Sequence, residues 1–369
     1  MTDSDAWQRA RNLLAVRLDA MGDVAMTTPA LRALRESVPG RRITLLTSPS
    51  GVAAAALAPD VDDVIVYEAP WMKASVPCER PQADLAMIRR IAKGGFDAAV
   101  VFTVYSQNPL PAAWLCRLAD IPLRLAHCRE NPYQLLTDWV PEPEPDRVVR
   151  HEVRRQLDLV SHVGAATDDE RLALRPSIAA VARVESMLDE LGLNDHRAWV
   201  VVHPGATAPS RRYPLSSFAE VVRRLAREQG MRILVTGGAN ERDDVAILCS
   251  DLPDATVPLA GVLDTGELLA LLGRAPVLIS NNTGPVHLAA AAGTPVVDLY
   301  ALTNPQHTPW MTPHRVLNHD VPCKYCYKSV CPEGHYDCLR LVSPASVVEA
   351  ALELLRENEP AAITPYASE

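Results

Sequence analysis

Four groups of residues in this chain have the types and spacing to do chemistry. The first is Ser280-Asn281-Asn282-Thr283-Gly284-Pro285-Val286-His287, set between the apolar run Val277-Leu278-Ile279 and the helix-forming run Leu288–Ala292. Pro285 suits a first helical position, Gly293 a helix stop, and Thr294-Pro295 leads into a second apolar strand, Val296–Tyr300. Residues 276–300 therefore read as strand, turn, helix, strand. Such a turn leaves the free N–H groups of a helix N-terminus at the carboxyl end of a strand, where unpaired donors and the helix dipole both favour a phosphate. His287, in the first turn, would add a hydrogen bond or a charge. An ordinary βαβ turn with a surface histidine meets the same pattern.

The second group is Met21-Gly22-Asp23. An acid beside a glycine at the end of a first strand would repel a phosphate, and it suits a base taking a proton from an acceptor hydroxyl. An N-cap for the following helix is the plainer role for the same residue. The third is Arg211-Arg212, which follows His203-Pro204-Gly205-Ala206-Thr207 at another strand end. Paired guanidinium groups match phosphate oxygens in a two-pronged geometry and could clamp a diphosphate, although solvated surface arginines look the same in sequence. The fourth is Cys323, Cys326, Cys331 and Cys338, within sixteen residues and with His335 among them. That density suggests a structural zinc knuckle, while the spacing departs from a standard finger and leaves free thiols or one disulfide open. An iron–sulfur cluster fits less well.

The elements that must position these groups alternate between strand and helix. Leu13–Leu18 reads as the first strand, Thr28–Glu36 as a helix with Pro29 near its start, and Arg41–Thr47 as the second strand. Val64–Tyr67, Asp97–Phe102 and Leu123–Ala126 follow as strands, with helices over Asp84–Lys93 and Pro111–Ala119. The proline-rich 141–146 cannot be helix or central strand and predicts an extended loop before the amphipathic helix Val149–Val163. The segment 165–194 predicts a domain boundary around one more helix. Trp199–Val202 restarts the pattern, with the helix Leu215–Gln229 and the strand Met231–Thr236, ending at Gly237-Gly238-Ala239-Asn240-Glu241. Asp264 and Glu267 form a capping box, which gives both acids a structural task. The acids of Val61-Asp62-Asp63 belong to a solvated turn. Ser343-Pro344 opens a last helix over Ala345–Glu357, and a frayed tail is expected beyond Asn358.

Composition narrows the function classes. The chain has 369 residues, is 48% hydrophobic and 22% charged, and carries a net charge of −9. That balance predicts a two-domain soluble protein and argues against general nucleic-acid binding. Lysine is scarce (Lys73, Lys93, Lys324 and Lys328) beside abundant arginine. The N-terminal residues lack an apolar export segment, and no apolar run approaches the ~18 residues of a membrane span. With eight cysteines, the expectation is a reducing, cytoplasmic setting.

RLDAMGDVAMTTPALRAL, HPGATAPSRRYP and ISNNTGPVHLAAAAGTPVV, in that order, resemble the three signatures of glycosyltransferase family 9, the ADP-heptose:lipopolysaccharide heptosyltransferase family. The segments between them (GGFDAAVVF, HEVRRQLDLVSHVG and LAGVLDTGELLALLGRA) run in the family's order, so the likeness covers nearly the whole chain. The resemblance implies an α/β GT-B fold, with two Rossmann-like domains facing across a cleft. Residues 1–175 would bind the acceptor, 176–345 the nucleotide-sugar, and 346–369 would form a C-terminal helix and tail. It implies inverting transfer that requires no metal or other cofactor, from a nucleotide-sugar donor such as ADP-heptose to a lipopolysaccharide core or similar glycan acceptor. The setting would be cytoplasmic, with peripheral contact at the inner face of the membrane.

By the same likeness Asp23 is the catalytic base. Thr207, Arg211, Arg212, Glu241, Asn282, Thr283, Gly284 and His287 belong to the donor side, opposite Asp23 across the cleft. Two positions depart from the family pattern. Asn282 stands where aspartate is usual, which removes a charge beside the nucleotide, and Arg211 stands where lysine is usual. A turn residue carries little packing, so aspartate at 282 is expected to alter donor preference more than stability. Alternatives are a transferase using another nucleotide-sugar on a small-molecule or glycolipid acceptor, and an inactive nucleotide-sugar-binding partner.

Overall fold

The computed structural model describes residues 4–72, 81–193 and 199–358. The expected tail at 359–369 lies outside the described residues. The chain divides into two compact units, Met1–Pro176 with Pro305–Trp310, and Ser177–Asn304 with Met311–Glu369.

The first unit is built on six parallel strands: β1 Asn12–Arg17, β2 Arg42–Thr47, β3 Asp63–Val66, β4 Ala98–Val101, β5 Leu123–Cys128 and β6 Asp138–Pro141, in the order β3-β2-β1-β4-β5-β6. Leu13, Leu14, Ala15 and Val16 of β1 are at most 1% exposed. A central parallel strand is covered on both faces by crossover helices, so it reads as one continuous apolar run. The helix after β1 spans Met21–Ser37, starting seven residues earlier than expected, and Pro29 therefore lies in its interior. Proline there cannot donate to the carbonyl of Ala25, and the Thr28 hydroxyl donates to that oxygen instead, at 2.7 Å.

The second unit repeats the plan with β7 Trp199–His203, β8 Arg232–Gly237, β9 Thr256–Ala260, β10 Leu278–Asn281, β11 Val296–Leu299 and β12 His314–Leu317, ordered β12-β11-β10-β7-β8-β9. The helix Leu215–Gln229 has the expected bounds, and Asp264 accepts from the Glu267 N–H at 2.8 Å to cap the helix that follows. Gly293, at φ 77°, ends the helix Gly284–Ala292. Among the described residues no helix is long and apolar enough to cross a membrane.

Three strands were not foreseen: β6, β9 and β12. All three are sheet edges. An edge strand is partly exposed and tolerates proline, as Pro141 and Pro258 show here, so its sequence lacks the apolar run that marks a central strand.

Candidate active site

In both sheets the strand order reverses beside the first strand, at β1/β4 in the first unit and at β7/β10 in the second. Outside the carboxyl ends of the strands at such a reversal, the crossovers diverge and leave a crevice. The residues singled out by sequence gather at these two places.

In the first unit Asp23 is not the N-cap. Ala20 holds that position, and Asp23 is the third residue of the helix, with Oδ2 accepting from the Ala20 N–H at 3.2 Å. Its Oδ1 accepts from Arg17 Nη2 at 3.1 Å, and its side chain remains 19% exposed. Asp23 thus helps to cap the helix and still meets solvent. Arg17, at the end of β1, is fully buried and is the hub that sequence reasoning missed. Its Nη1 donates to Glu152 Oε1 at 2.9 Å, and its Nε lies 3.0 Å from Asp19 Oδ2. Gln156 Nε2 closes the network on Glu152 Oε1 at 2.6 Å and on the Thr103 carbonyl at 3.0 Å. One guanidinium therefore faces three carboxylates. Burial pushes the Asp19 carboxyl up to about 6, with Asp23 adding to the rise and Arg17 opposing it. The charged run Arg17, Asp19, Asp23 at the end of an apolar strand was the available signal.

In the second unit one buried amide joins three loops. Asn281, at the end of β10, donates through Nδ2 to the Pro204 carbonyl at 2.6 Å and accepts at Oδ1 from the Tyr213 N–H at 2.9 Å. This brings the turn 282–284, the loop after β7 and the segment carrying Arg211 and Arg212 together at the carboxyl ends of the central strands. Arg211 is half-buried, ending the short 3-10 turn Pro209–Arg211, while Arg212 is exposed and donates from Nε to the Ala206 carbonyl at 2.8 Å. Thr207 is exposed, and Thr283 and Gly284 are half-buried. Glu241 folds back, accepting from the Gly238 N–H at 2.7 Å. Its carboxylate lies so near Gly205 that a Cβ there would stand 2.0 Å from it, so a larger residue at 205 would have to displace the Glu241 side chain. His203, 4.0 Å from Glu241, is pushed down to about 4 by burial, which Glu241 only partly opposes, and is neutral at pH 7.

Two residues expected on the donor side are buried. His287 occupies the first helical turn but is 3% exposed, so it is no surface group. Asn282 is 5% exposed and donates from Nδ2 to Asp298 Oδ2, on the neighbouring β11, at 2.9 Å. Burial holds the Asp298 carboxyl well above its ordinary range, outweighing the Asn282 hydrogen bond. Asn282 is thus a packed and bonded residue, and the expectation that it carries little packing is wrong. Asparagine supplies the N–H that Asp298 Oδ2 accepts, a donor that an ionised aspartate at 282 would lack.

Cys323, Cys326, Cys331, Cys338 and His335 line one cavity of about 20 Å³, with Cys323 Sγ 3.6 Å from His335 Nε2. Among the described residues, however, no group of three or more His, Cys, Asp or Glu is arranged to hold a metal ion. The loop that carries them grips the arginine turn: the Ser210 N–H donates to the Ser329 carbonyl at 3.0 Å and the Ser210 hydroxyl to the Lys328 carbonyl at 2.7 Å.

Comparison with known proteins agrees with this architecture. The family model for glycosyltransferase family 9 (heptosyltransferase) matches residues 85–337. Lipopolysaccharide heptosyltransferase 2 of Salmonella typhimurium is 26% identical over 266 residues, covering 68% of this chain and 74% of that protein. The crystal structure of a family 9 glycosyl transferase from Veillonella parvula superposes with a TM-score of 0.78 at 23% identity, covering 94% of this chain and 98% of that one. E. coli ADP-heptose lps heptosyltransferase II superposes with a TM-score of 0.72 at 21% identity, over 95% and 100% of the two chains. The paired six-stranded parallel sheets are the GT-B arrangement.

Proposed function

The chain is a glycosyltransferase belonging to family 9, and from that premise we propose that it moves a heptose from ADP-heptose to a lipopolysaccharide core or similar glycan. The first unit serves the acceptor and the second the donor. The observation that carries this reading is the Asn281 staple. It gathers the strand-end loop after β7, the arginine turn and a helix N-terminus at the carboxyl ends of the central strands, which suits a nucleotide diphosphate.

Asp23 takes the proton from the acceptor hydroxyl as its oxygen attacks the anomeric carbon from the face opposite the diphosphate, inverting that centre. Arg211, the N–H groups at Gly284 and His287 stabilise the charge developing on the departing diphosphate. Thr207, Arg212, Glu241 and Thr283 complete the donor side, and Asn282 holds the turn against Asp298. A nucleoside diphosphate is already a good leaving group, so one carboxylate base suffices without a metal. A glycolipid acceptor places the enzyme at the inner face of the membrane as a peripheral protein.

The test is incubation with ADP-heptose and an inner-core lipopolysaccharide glycan, read by mass spectrometry. One added heptose with release of ADP is expected. Transfer only from a UDP- or GDP-sugar would replace the donor assignment, and donor binding without transfer to any glycan would leave the protein a binding partner.

For the cysteine cluster we propose a structural zinc ion with no part in transfer, on the support of four thiols and a histidine around one small cavity. About one zinc per chain and a melting temperature lowered by chelation are expected. Metal-free protein with four native thiols titratable would remove the ion.

A further inference from the structure

A pocket of about 460 Å³ opens in the first unit between the ends of β1 and β4. Trp71, Met72 and Phe102 give it an apolar wall, and Asp19, Ser106 and Gln107 give it polar groups. A sugar ring has the same division, with C–H faces on one side and hydroxyls around the rim, and the volume lies in the range of small-ligand sites. Among the described residues lining it, Asp19 alone carries a charge.

Asp19 is only partly committed to the protein. Its Oδ1 accepts from Gln107 Nε2 at 2.6 Å. Its Oδ2 is 3.0 Å from Arg17 Nε, yet that Nε is a buried atom without a hydrogen-bond partner, so the pair is held by charge and Oδ2 has room for another donor. Asp23 differs, because Arg17 and the Ala20 N–H each engage one of its oxygens. The charged groups facing Asp19 are Arg17 on β1, Asp23 on the helix Met21–Ser37 and Glu152 on the helix Glu152–Ser161. With all of them ionised, this end of the pocket is net negative.

We propose that Asp19 is a second substrate-contacting carboxylate: it accepts a hydrogen bond from a hydroxyl of the acceptor sugar and restricts this pocket to neutral or amino sugars, excluding acidic ones. The inference rests on the first unit being the acceptor side. A carboxylate beside two others repels a carboxylate or phosphate on the ligand, whereas hydroxyl and ammonium groups donate to it. Because burial raises its proton affinity to about 6, Asp19 is an acceptor-only group above that pH and loses this role below it.

The experiment is saturation-transfer NMR on the full chain with methyl α-mannoside, methyl α-glucosaminide and methyl α-glucuronide as probes, above and below pH 6. The neutral or amino probe is expected to bind wild-type enzyme at least about tenfold more tightly than the glucuronide above pH 6, the scale of one charged hydrogen bond. Asp19→Asn should lose about the same factor and the pH dependence, with ADP affinity unchanged. Equal or tighter glucuronide binding, no binding of any probe, or unchanged neutral-sugar binding by Asp19→Asn would overturn the proposal. The wild-type comparison decides even where the variant fails to fold. Failure of the transferase reading appears separately, as absent heptose transfer by wild-type enzyme.

Discussion

Arg17 Nη2 donates to Asp23 Oδ1 at 3.1 Å, from a guanidinium that is fully buried to a carboxylate that is 19% exposed. The contact fixes the orientation of the proposed base from below while leaving it an exposed edge. Asp23→Asn keeps the shape and a hydrogen-bonding group but cannot take a proton. Turnover is expected to fall by roughly 10²–10⁴-fold. Donor affinity and melting temperature should move little, because Arg17 retains Asp19 and Glu152 as partners. A folded variant that transfers sugar at the wild-type rate would reduce Asp23 to its capping role.

Asp19 makes stability depend on pH. Its folded value, about 6, stands above the ordinary 3.8, so the native state holds this proton more tightly than the unfolded chain does. Its stabilising contribution is complete below 3.8 and is lost as pH rises through about 6. Urea denaturation across that window should show wild-type stability falling with pH by more than that of Asp19→Asn. Asp298, shifted in the same direction, remains in both proteins and cancels in the comparison. Parallel curves would contradict the assignment.

The 2.9 Å hydrogen bond from Asn282 to Asp298 predicts a charge swap. Asn282→Asp places two buried acids together and should cost about 1–3 kcal/mol, the scale of an unsatisfied buried group. Adding Asp298→Asn restores one donor and one carboxylate in reversed order and should recover most of the loss. Additive destabilisation in the double variant would show that the two side chains are not coupled.

Arg211→Ala should weaken ADP binding by about 1.5–3 kcal/mol, as expected for a hydrogen bond to a charged group. The corresponding Arg212→Ala should cost less, since Arg212 is exposed and already engaged with the Ala206 carbonyl. Calorimetry giving equal losses, or none at Arg211, would redraw the diphosphate contacts.

The sequence by itself determined the α/β alternation, the two strand–turn–helix motifs with their glycine and proline punctuation, and the helix over Leu215–Gln229. These follow from contacts a few residues apart, where periodicity and capping act. The three motif segments also sufficed to identify the family. Edge strands β6, β9 and β12 escaped because partial exposure dilutes their apolar pattern. The sheet orders, and with them the crevices at β1/β4 and β7/β10, were set only by tertiary packing. So were the pairing of Arg17 with Glu152, 135 residues on, the staple from Asn281 to Pro204, and the burial of Asp298. Which partners an acid meets, and in which direction its proton affinity moves, depends on its solvation and on charges brought from distant elements. Asp19, Asp23 and Asp298 are the same residue type in the sequence, and only the fold gives them different partners and raises the proton affinity of Asp19 and Asp298.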